Sequence, residues 1–143
     1  MPLPTPEPLF RRDHFINREL SLLQFQRRVL AQAADPAMPL LERLRFLCIV
    51  SSNLDEFFEV RVAGVKEQMC LGSLTMTTDG LTPSALHALI SREVHSIIAE
   101  QYALLNDTIL PALAAEGIVF LRRSVWTDAQ HLWAREYFMR EVM

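Results

Sequence analysis

The chain has 143 residues, a formal net charge of −3, an apolar half and only two cysteines. A chain of this length can bury a conventional hydrophobic core, which excludes the disulfide-stapled, collagen-like and disordered classes. The acidic balance gives no general attraction to nucleic acid or to an anionic membrane surface, and no segment approaches the ~20 apolar residues of a membrane span. The cysteines form no C-x-x-C pair. We therefore expect a soluble, cytoplasmic protein with no nucleic-acid partner and no signal peptide.

Proline occupies positions 2, 4, 6 and 8. Because proline fixes φ and lacks a backbone N–H donor, residues 1–14 are expected to form a flexible leader. Helical periodicity begins after it, where the capping box of Ser21 and Gln24 predicts a first helix over about 22–34.

A second helix is predicted from Pro39, since proline is well tolerated in a first helical turn. Apolar residues cover nearly its whole circumference up to residue 50, which favours a place at the centre of a bundle. The polar run at 51–53 then predicts a break or sharp bend, because Asn53 followed by Glu56 repeats the capping signature. A new helix is expected from Leu54 to about residue 70, ending near Gly72.

A loop over 72–82 precedes Thr82 and Pro83, which predict the cap and first turn of a long helix reaching at least Asn106. Pro111 predicts a kink or a restart, and Gly117 the end of that helix. The predicted fold class is therefore all-α, an antiparallel bundle of three to four main helices.

The last part of the chain has a different pattern. Residues 118–121 form a short β-type run, and the capping box of Thr127 and Gln130 opens another helix. That helix carries Trp133 and Phe138, which would lack partners in a small bundle. Residues 117–143 are therefore predicted to begin a second domain that is truncated at Met143.

No catalytic set is visible from composition and spacing. The carboxylates Asp55, Glu56 and Glu59 lack the Glu-x-x-His pattern of di-iron bundles. The favoured interpretation is therefore helix-dipole complementation and ion pairing with Arg45 or Arg61, and no metal site is predicted. No glycine-rich phosphate-binding motif is present. None of the four histidines is paired with a Cys or Ser in a nucleophile-like context. These histidines are His14, His87, His95 and His131.

Four ordered motifs are more specific than these patterns. They lie at 15–21 (FINRELS), at 25 and 28–30, at 39–47 (PLLERLRFL) and at 52–62 (SNLDEFFEVRV). Together they resemble the N-terminal domain of bacterial polyphosphate kinases, the large family that works through a phosphohistidine. The resemblance covers about residues 15–121 and is densest over 15–66.

The resemblance implies an enzyme that reversibly transfers the γ-phosphoryl group of ATP to polyphosphate, through a histidine and with Mg²⁺. It implies a four-domain parent with an N-terminal helical domain, a head domain for homo-oligomerisation and two C-terminal catalytic domains that bind polyphosphate. The chain would then be the helical domain, residues 15–116, and the start of an α/β head domain, residues 117–143. None of the histidines lies in a matching motif, so the fragment is expected to hold no catalytic residue and no Mg²⁺ ligand and to be inactive alone. The parent is expected in the cytoplasm, with peripheral membrane association as an open alternative.

The resemblance also implies one site residue. In the family this domain forms the adenine side of the pocket for ATP or ADP, and the asparagine of the S-x-N-L-D-E-F motif binds nucleotide; here it is Asn53. From the residues alone, Asn53 could instead cap the helix from Leu54. Two positions depart from the family's E-L-S-W-L-x-F-N, since Leu22 replaces a tryptophan and Gln26 an asparagine, which puts local packing in doubt.

A second hypothesis belongs to a different class. The apolar helix at 39–50 and the aromatic residues at 126–138 would equally serve a helical interaction module that binds a protein partner and never contacts nucleotide.

Overall fold

The structure, a computed structural model, describes Arg11 and residues 14–143. The chain divides into two compact units, Met1–Ile109 and Leu110–Met143. The described residues are mostly helical and include no strand, which confirms the all-α prediction. The predicted leader falls almost wholly on residues 1–10 and 12–13, which lie outside the described residues. The predicted division into domains at 116 and 117 stays a prediction.

Unit 1 contains the helices that form the bundle. In chain order they are α1 (Arg18–Ala34), α2 (Leu40–Glu56), a first π-helical segment (Phe57–Val62), α3 (Ala63–Cys70), α4 (Pro83–Leu104) and a second π-helical segment (Leu105–Ile109).

Helix α1 begins earlier than predicted. Its N-cap is Asn17, whose Oδ1 accepts a hydrogen bond from the Leu20 backbone N–H at 3.1 Å. The Asn17 Nδ2 also donates to Asp79 Oδ1, at 3.2 Å, in the loop before α4. The predicted Ser21 cap is wrong because Asn17 satisfies the orphan N–H groups one turn earlier and is held there by a tertiary hydrogen bond.

Helix α2 runs through residues 51–53, so the predicted break there is wrong. Two of the three polar side chains in this run bond to neighbouring helices and do not compete for the backbone of α2. Ser51 Oγ accepts from Gln101 Nε2 of α4 at 2.6 Å, and Asn53 Nδ2 donates to Gln26 Oε1 of α1 at 3.0 Å. Ser and Asn disrupt a helix when they bond locally to its backbone, and these two bond elsewhere.

The irregularity lies further along, in the first π-helical segment. Phe57 and Val62 are both buried although they are five positions apart, a spacing that a π turn places on one side of the helix. Regular helix resumes in α3 and ends as predicted, since Gly72 has φ +63° and Ser73 N–H bonds to Gln68 O at 2.9 Å.

Tertiary hydrogen bonds show how the helices are arranged. Arg43 near the start of α2 bonds to Ala33 O at the end of α1 at 2.8 Å, while Gln26 pairs with Asn53 further along α2, so α1 and α2 are antiparallel. The core of unit 1 consists of buried apolar side chains from all of its helices, and it includes Leu23, Leu30, Leu47, Val50, Leu54, Leu86, Ile90, Val94 and Ile97.

Helix α2 is buried on one face only, which corrects the predicted position at the bundle centre. Leu41 is 61% exposed and Ile49 37% exposed, although both belong to the apolar run. The described helices that contact α2 leave the rest of its circumference uncovered.

Helix α4 begins as predicted, because the Thr82 side chain accepts from the Ala85 N–H at 3.3 Å and Pro83 stands in the first turn. The second π-helical segment ends two residues before Pro111. Proline has no N–H and its ring crowds the carbonyl four residues before it, which accounts for the altered hydrogen bonding around Asp107.

Unit 2 contains α5 (Leu110–Ala115), a short 3₁₀ turn (Arg123–Val125) and α6 (Asp128–Glu141). Gly117, at φ +80°, follows α5 as predicted. Thr127 and Gln130 form the predicted capping box, with bonds of 3.3 and 2.8 Å. The predicted β-type run at 118–121 forms no strand. A strand needs a partner for its backbone groups, and the described part of the chain supplies none.

Candidate functional site

A groove of about 360 Å³ runs between α1 and the far end of α2. Its volume falls within the range of about 300–1,000 Å³ that is typical of small-molecule sites. The groove is open on one side and combines aromatic, amide and charged side chains. It is lined by Leu22, Phe25, Gln26, Asn53, Glu56, Phe57, Val60 and Arg61.

Helical spacing explains why these residues meet. The three residues of α1 recur at i, i+3 and i+4, and the five residues from α2 and the first π-helical segment recur at i, i+3, i+4, i+7 and i+8. Each set forms one stripe along its helix. The antiparallel packing of α1 on α2 brings the two stripes together as opposite walls.

Asn53 lies halfway along one wall, in the interior of a helix. Its backbone is helical and its carbonyl accepts the Phe57 N–H within the helix. The alternative that Asn53 caps a helix from Leu54 is therefore wrong, because no helix begins there. The side chain is half-buried and its carboxamide bonds to Gln26 across the groove at 3.0 Å.

Aromatic and cationic groups flank this amide. Phe25 is 47% exposed, and the Arg28 guanidinium lies 5.6 Å from its ring centroid. Phe57 is buried and presents part of its ring to the groove. Arg61 is half-buried and forms no ion pair among the described residues. The arrangement can stack a planar ring and hydrogen-bond its edge.

Both departures from the family motif lie in this groove. Leu22 and Gln26 line the same wall as Phe25, and Gln26 contacts Asn53 directly. A tryptophan at position 22 would fill part of the space that leucine leaves open, so the departure changes the shape of the groove.

The other candidate groups form no shared site in the part of the chain that the structure describes. No cluster of three or more His, Cys, Asp or Glu side chains that could hold a metal ion occurs among Arg11 and residues 14–143. The predicted pairing of Arg45 or Arg61 with the carboxylates at 55–59 is wrong, since Arg45 pairs with Glu42 at 3.5 Å and Arg61 forms no ion pair among the described residues. These carboxylates do not complement a new helix start either, because α2 continues through Leu54. His131 packs against Trp126 with ring centroids 5.3 Å apart.

Sequence reasoning missed most of the groove. It found Asn53 and noted Leu22 and Gln26 only as departures, while Phe25 and Arg61 were absent from the site. The missing information was the pairing of α1 with α2. The i, i+3, i+4 recurrence was visible in each helix, but periodicity does not show which stripes face each other.

The geometry defines an all-α helical domain with an amide-bearing groove suited to a small planar ligand. Residues 15–121 match the family model described as "Polyphosphate kinase N-terminal domain". The chain belongs to this family, as its motifs predicted.

Curated relatives agree with this assignment. The chain is 52% identical over 128 residues to polyphosphate kinases of Burkholderia multivorans, Paraburkholderia phytofirmans and Burkholderia vietnamiensis. The match covers 90% of this chain and 19% of each relative, so the chain spans about a fifth of their length. No solved structure matched the chain. None of the described helices is long and apolar enough to cross a membrane.

Proposed function

We propose that the chain is the N-terminal domain of an ATP:polyphosphate phosphotransferase and that the groove between α1 and α2 forms the adenine side of its ATP site. Family membership supports the enzyme class. The observation that carries the proposal is the position of Asn53, half-buried beside an exposed aromatic ring and released from any capping role. ATP and ADP are the ligands.

The groove would act by binding and orienting the base. The Asn53 carboxamide offers a donor and an acceptor side by side, which complements an adenine edge that carries one of each. Phe25 offers a ring face for stacking, at about 1–3 kcal/mol for one base on one aromatic side chain. Holding the base fixes the direction of the triphosphate tail, which lowers the entropic cost of bringing the γ-phosphorus to its acceptor.

The phosphoryl transfer itself is assigned to other parts of the enzyme. No histidine of this chain lies in the groove, and no described cluster fits Mg²⁺. We assign the phosphorylated histidine, the Mg²⁺ ligands and the polyphosphate site to C-terminal domains, and homo-oligomerisation to a head domain. The 143-residue chain alone would therefore make no polyphosphate.

The test is ATP-dependent polyphosphate synthesis by the enzyme expressed from the complete gene, wild type beside Asn53→Ala. We expect the KM for ATP to rise about tenfold, since one good amide–base pair contributes about 1–3 kcal/mol. The kcat should change much less, because the lost contact is distant from the transferring phosphorus.

The matched control is Asn106→Ala, which makes the same change at an exposed helical asparagine outside the groove. Its ATP curve should equal that of the wild type. An unchanged KM in Asn53→Ala would remove Asn53 from the site, and a complete gene that encodes no further domain would contradict the enzyme assignment.

Helix α6 supports a second candidate role, as a protein-interaction surface in residues 117–143. It has no buried residue, and the stacked rings of Trp133 and Tyr137 are 65% and 45% exposed. A cluster of exposed aromatic rings is typical of interfaces. This role is compatible with a head domain and needs no nucleotide.

A further inference from the structure

The groove holds an amide pair that has no assigned role. Gln26 is only 8% exposed and is one of the few buried polar side chains of unit 1. Its Oε1 accepts from Asn53 Nδ2 at 3.0 Å, which is the one side-chain hydrogen bond recorded for either residue in the described part of the chain. Both side chains line the groove.

This hydrogen bond distinguishes the two ends of the Asn53 carboxamide. A carboxamide has an acceptor oxygen and a donor NH₂ group, and the family site needs one of them to face the base. Because one N–H of the Asn53 NH₂ group donates to Gln26 on α1, the Asn53 Oδ1 and the second N–H are left for a ligand in the groove.

The orientation has a consequence for base recognition. The 6-amino group of adenine donates a hydrogen bond, whereas the 6-oxo group of hypoxanthine or guanine accepts one. A carbonyl oxygen fixed toward position 6 of the purine accepts a hydrogen bond from the 6-amino group of adenine. The same oxygen offers no donor to the 6-oxo group of hypoxanthine or guanine. A buried polar group that finds no partner is penalised strongly, so a fixed amide discriminates better than a rotating one.

We propose that Gln26 is a positioning residue that holds the Asn53 carboxamide with its oxygen toward the ligand, and thereby makes the groove select 6-aminopurine over 6-oxopurine nucleotides. The proposal rests on the proposed function, since it assumes that the base lies in this groove. It also gives a role to a position where the chain departs from the family motif.

Two substitutions separate the hydrogen bond from packing. Gln26→Leu has nearly the same size but no acceptor, so the Asn53 amide becomes free to rotate. Gln26→Glu keeps an acceptor and, at pH 8, far above the usual carboxyl pKa, has no donor. The ratio of kcat/KM for ATP to kcat/KM for ITP is measured for each variant in the full-length enzyme. Both values come from one preparation, so a partly unfolded fraction cancels from the ratio.

We expect the ATP/ITP ratio to fall about tenfold in Gln26→Leu and to stay near the wild-type value in Gln26→Glu. The matched control is Gln24→Leu. Gln24 lies two residues before Gln26 on the same helix, α1. Its side chain bonds to Glu93 of α4 at 3.1 Å, outside the groove. The control should leave the ratio unchanged.

Two results would overturn the inference. An unchanged ratio in Gln26→Leu would show that Gln26 does not position the amide. A preference reversed toward ITP in Gln26→Glu would show that the wild-type amide has the opposite orientation. The proposed function fails separately, if Asn53→Ala leaves the KM for ATP unchanged.

Discussion

At the scale of single residues, buried polar side chains of unit 1 join the helices to one another. Gln101 is 8% exposed, and its Nε2 donates both to Leu47 O at 3.0 Å and to Ser51 Oγ. A buried donor without a partner would cost about 1–3 kcal/mol. These two hydrogen bonds therefore favour the observed position of α4 against α2. The same pairing leaves the α2 backbone hydrogen bonds intact around Asn53.

Arg43 performs a similar task at the end of α1. It is 9% exposed, and its Nε donates to the carbonyl of Ala33, a group in the last turn that has no partner within the helix. We predict that Arg43→Met lowers the free energy of unfolding of the chain by about 2 kcal/mol, the contribution of a charge-assisted hydrogen bond. Urea denaturation followed by circular dichroism measures it.

The control for this prediction is Arg45→Met on the same helix, where the arginine is exposed and pairs only with Glu42. That change should stay within about 0.5 kcal/mol. Equal losses in both variants would contradict the role assigned to Arg43.

At the scale of elements, the first π-helical segment accommodates one extra residue between two regular helices. The buried positions of this region are Leu54, Phe57, Val62 and Val65, whose steps are three, five and three. The step of five was visible in the sequence. It was not recognised because Phe58, four positions before Val62, also completes a regular helical pattern, and the structure leaves Phe58 40% exposed.

The interpretation of the first π-helical segment as a one-residue insertion predicts the effect of a deletion. Removing the exposed Glu59 should convert the π turn into regular α-helix and keep Phe57 and Val62 buried, so the free energy of unfolding should change by less than about 1 kcal/mol. Removing the exposed Arg92 from regular α4 should rotate Val94 and Ile97 out of the core and cost several kcal/mol.

Urea denaturation of both deletion variants distinguishes the two cases. Comparable destabilisation by the two deletions would contradict the interpretation of residues 57–62 as an insertion.

Local signals in the sequence account for most element ends. Gly72 and Gly117 end helices where φ is positive, and Thr82 and Thr127 begin them with their own side chains. The predicted start of α1 at Ser21 and the predicted break at 51–53 were wrong for the same reason. In both places tertiary bonds, from Asn17 to Asp79 and from Asn53 to Gln26, decide what a polar side chain does, and a local pattern carries no information about them.

At the scale of the whole molecule, charged groups connect α1 to α4. Arg27 donates to Glu93 and, at 2.6 Å, to Glu100. The hydrogen bond from Arg27 holds the pKa of Glu100 below its ordinary value, although burial acts in the opposite direction. Burial raises the pKa of Asp79, but hydrogen bonds from Thr77, from Asn17 and from the Asp79 backbone together hold this pKa below its ordinary value.

Because the folded pKa of Glu100 lies below the unfolded one, its contribution to stability is present above the ordinary value of 4.5 and is lost as the pH falls through the folded pKa. Glu100→Gln should therefore lower the Tm by about 1–3 °C at pH 7, a modest shift because the pair is at the surface. The difference from the wild type should shrink as the pH falls below 4.5.

Thermal unfolding at a series of pH values measures this difference. Glu67→Gln, an exposed change without an ion pair among the described residues, is the control. A Glu100→Gln difference that does not shrink as Glu100 becomes protonated at acid pH would contradict the assigned ion pair.

The fold class and the family followed from sequence because apolar periodicity and ordered motifs are local properties of the chain. The site followed only in part. Asn53 was identified by its motif, whereas Phe25 and Gln26 come from a second helix and Arg61 from the first π-helical segment, and only the packing of α1 on α2 makes them a groove.

The most direct test of the central claim is a structure of the full-length enzyme bound to a non-hydrolysable ATP analogue. We expect the adenine ring to lie in the groove between α1 and α2, with its edge about 3 Å from the Asn53 carboxamide and its face against Phe25. An adenine ring bound elsewhere, with the groove filled by another part of the protein, would contradict the assignment of this domain to the ATP site.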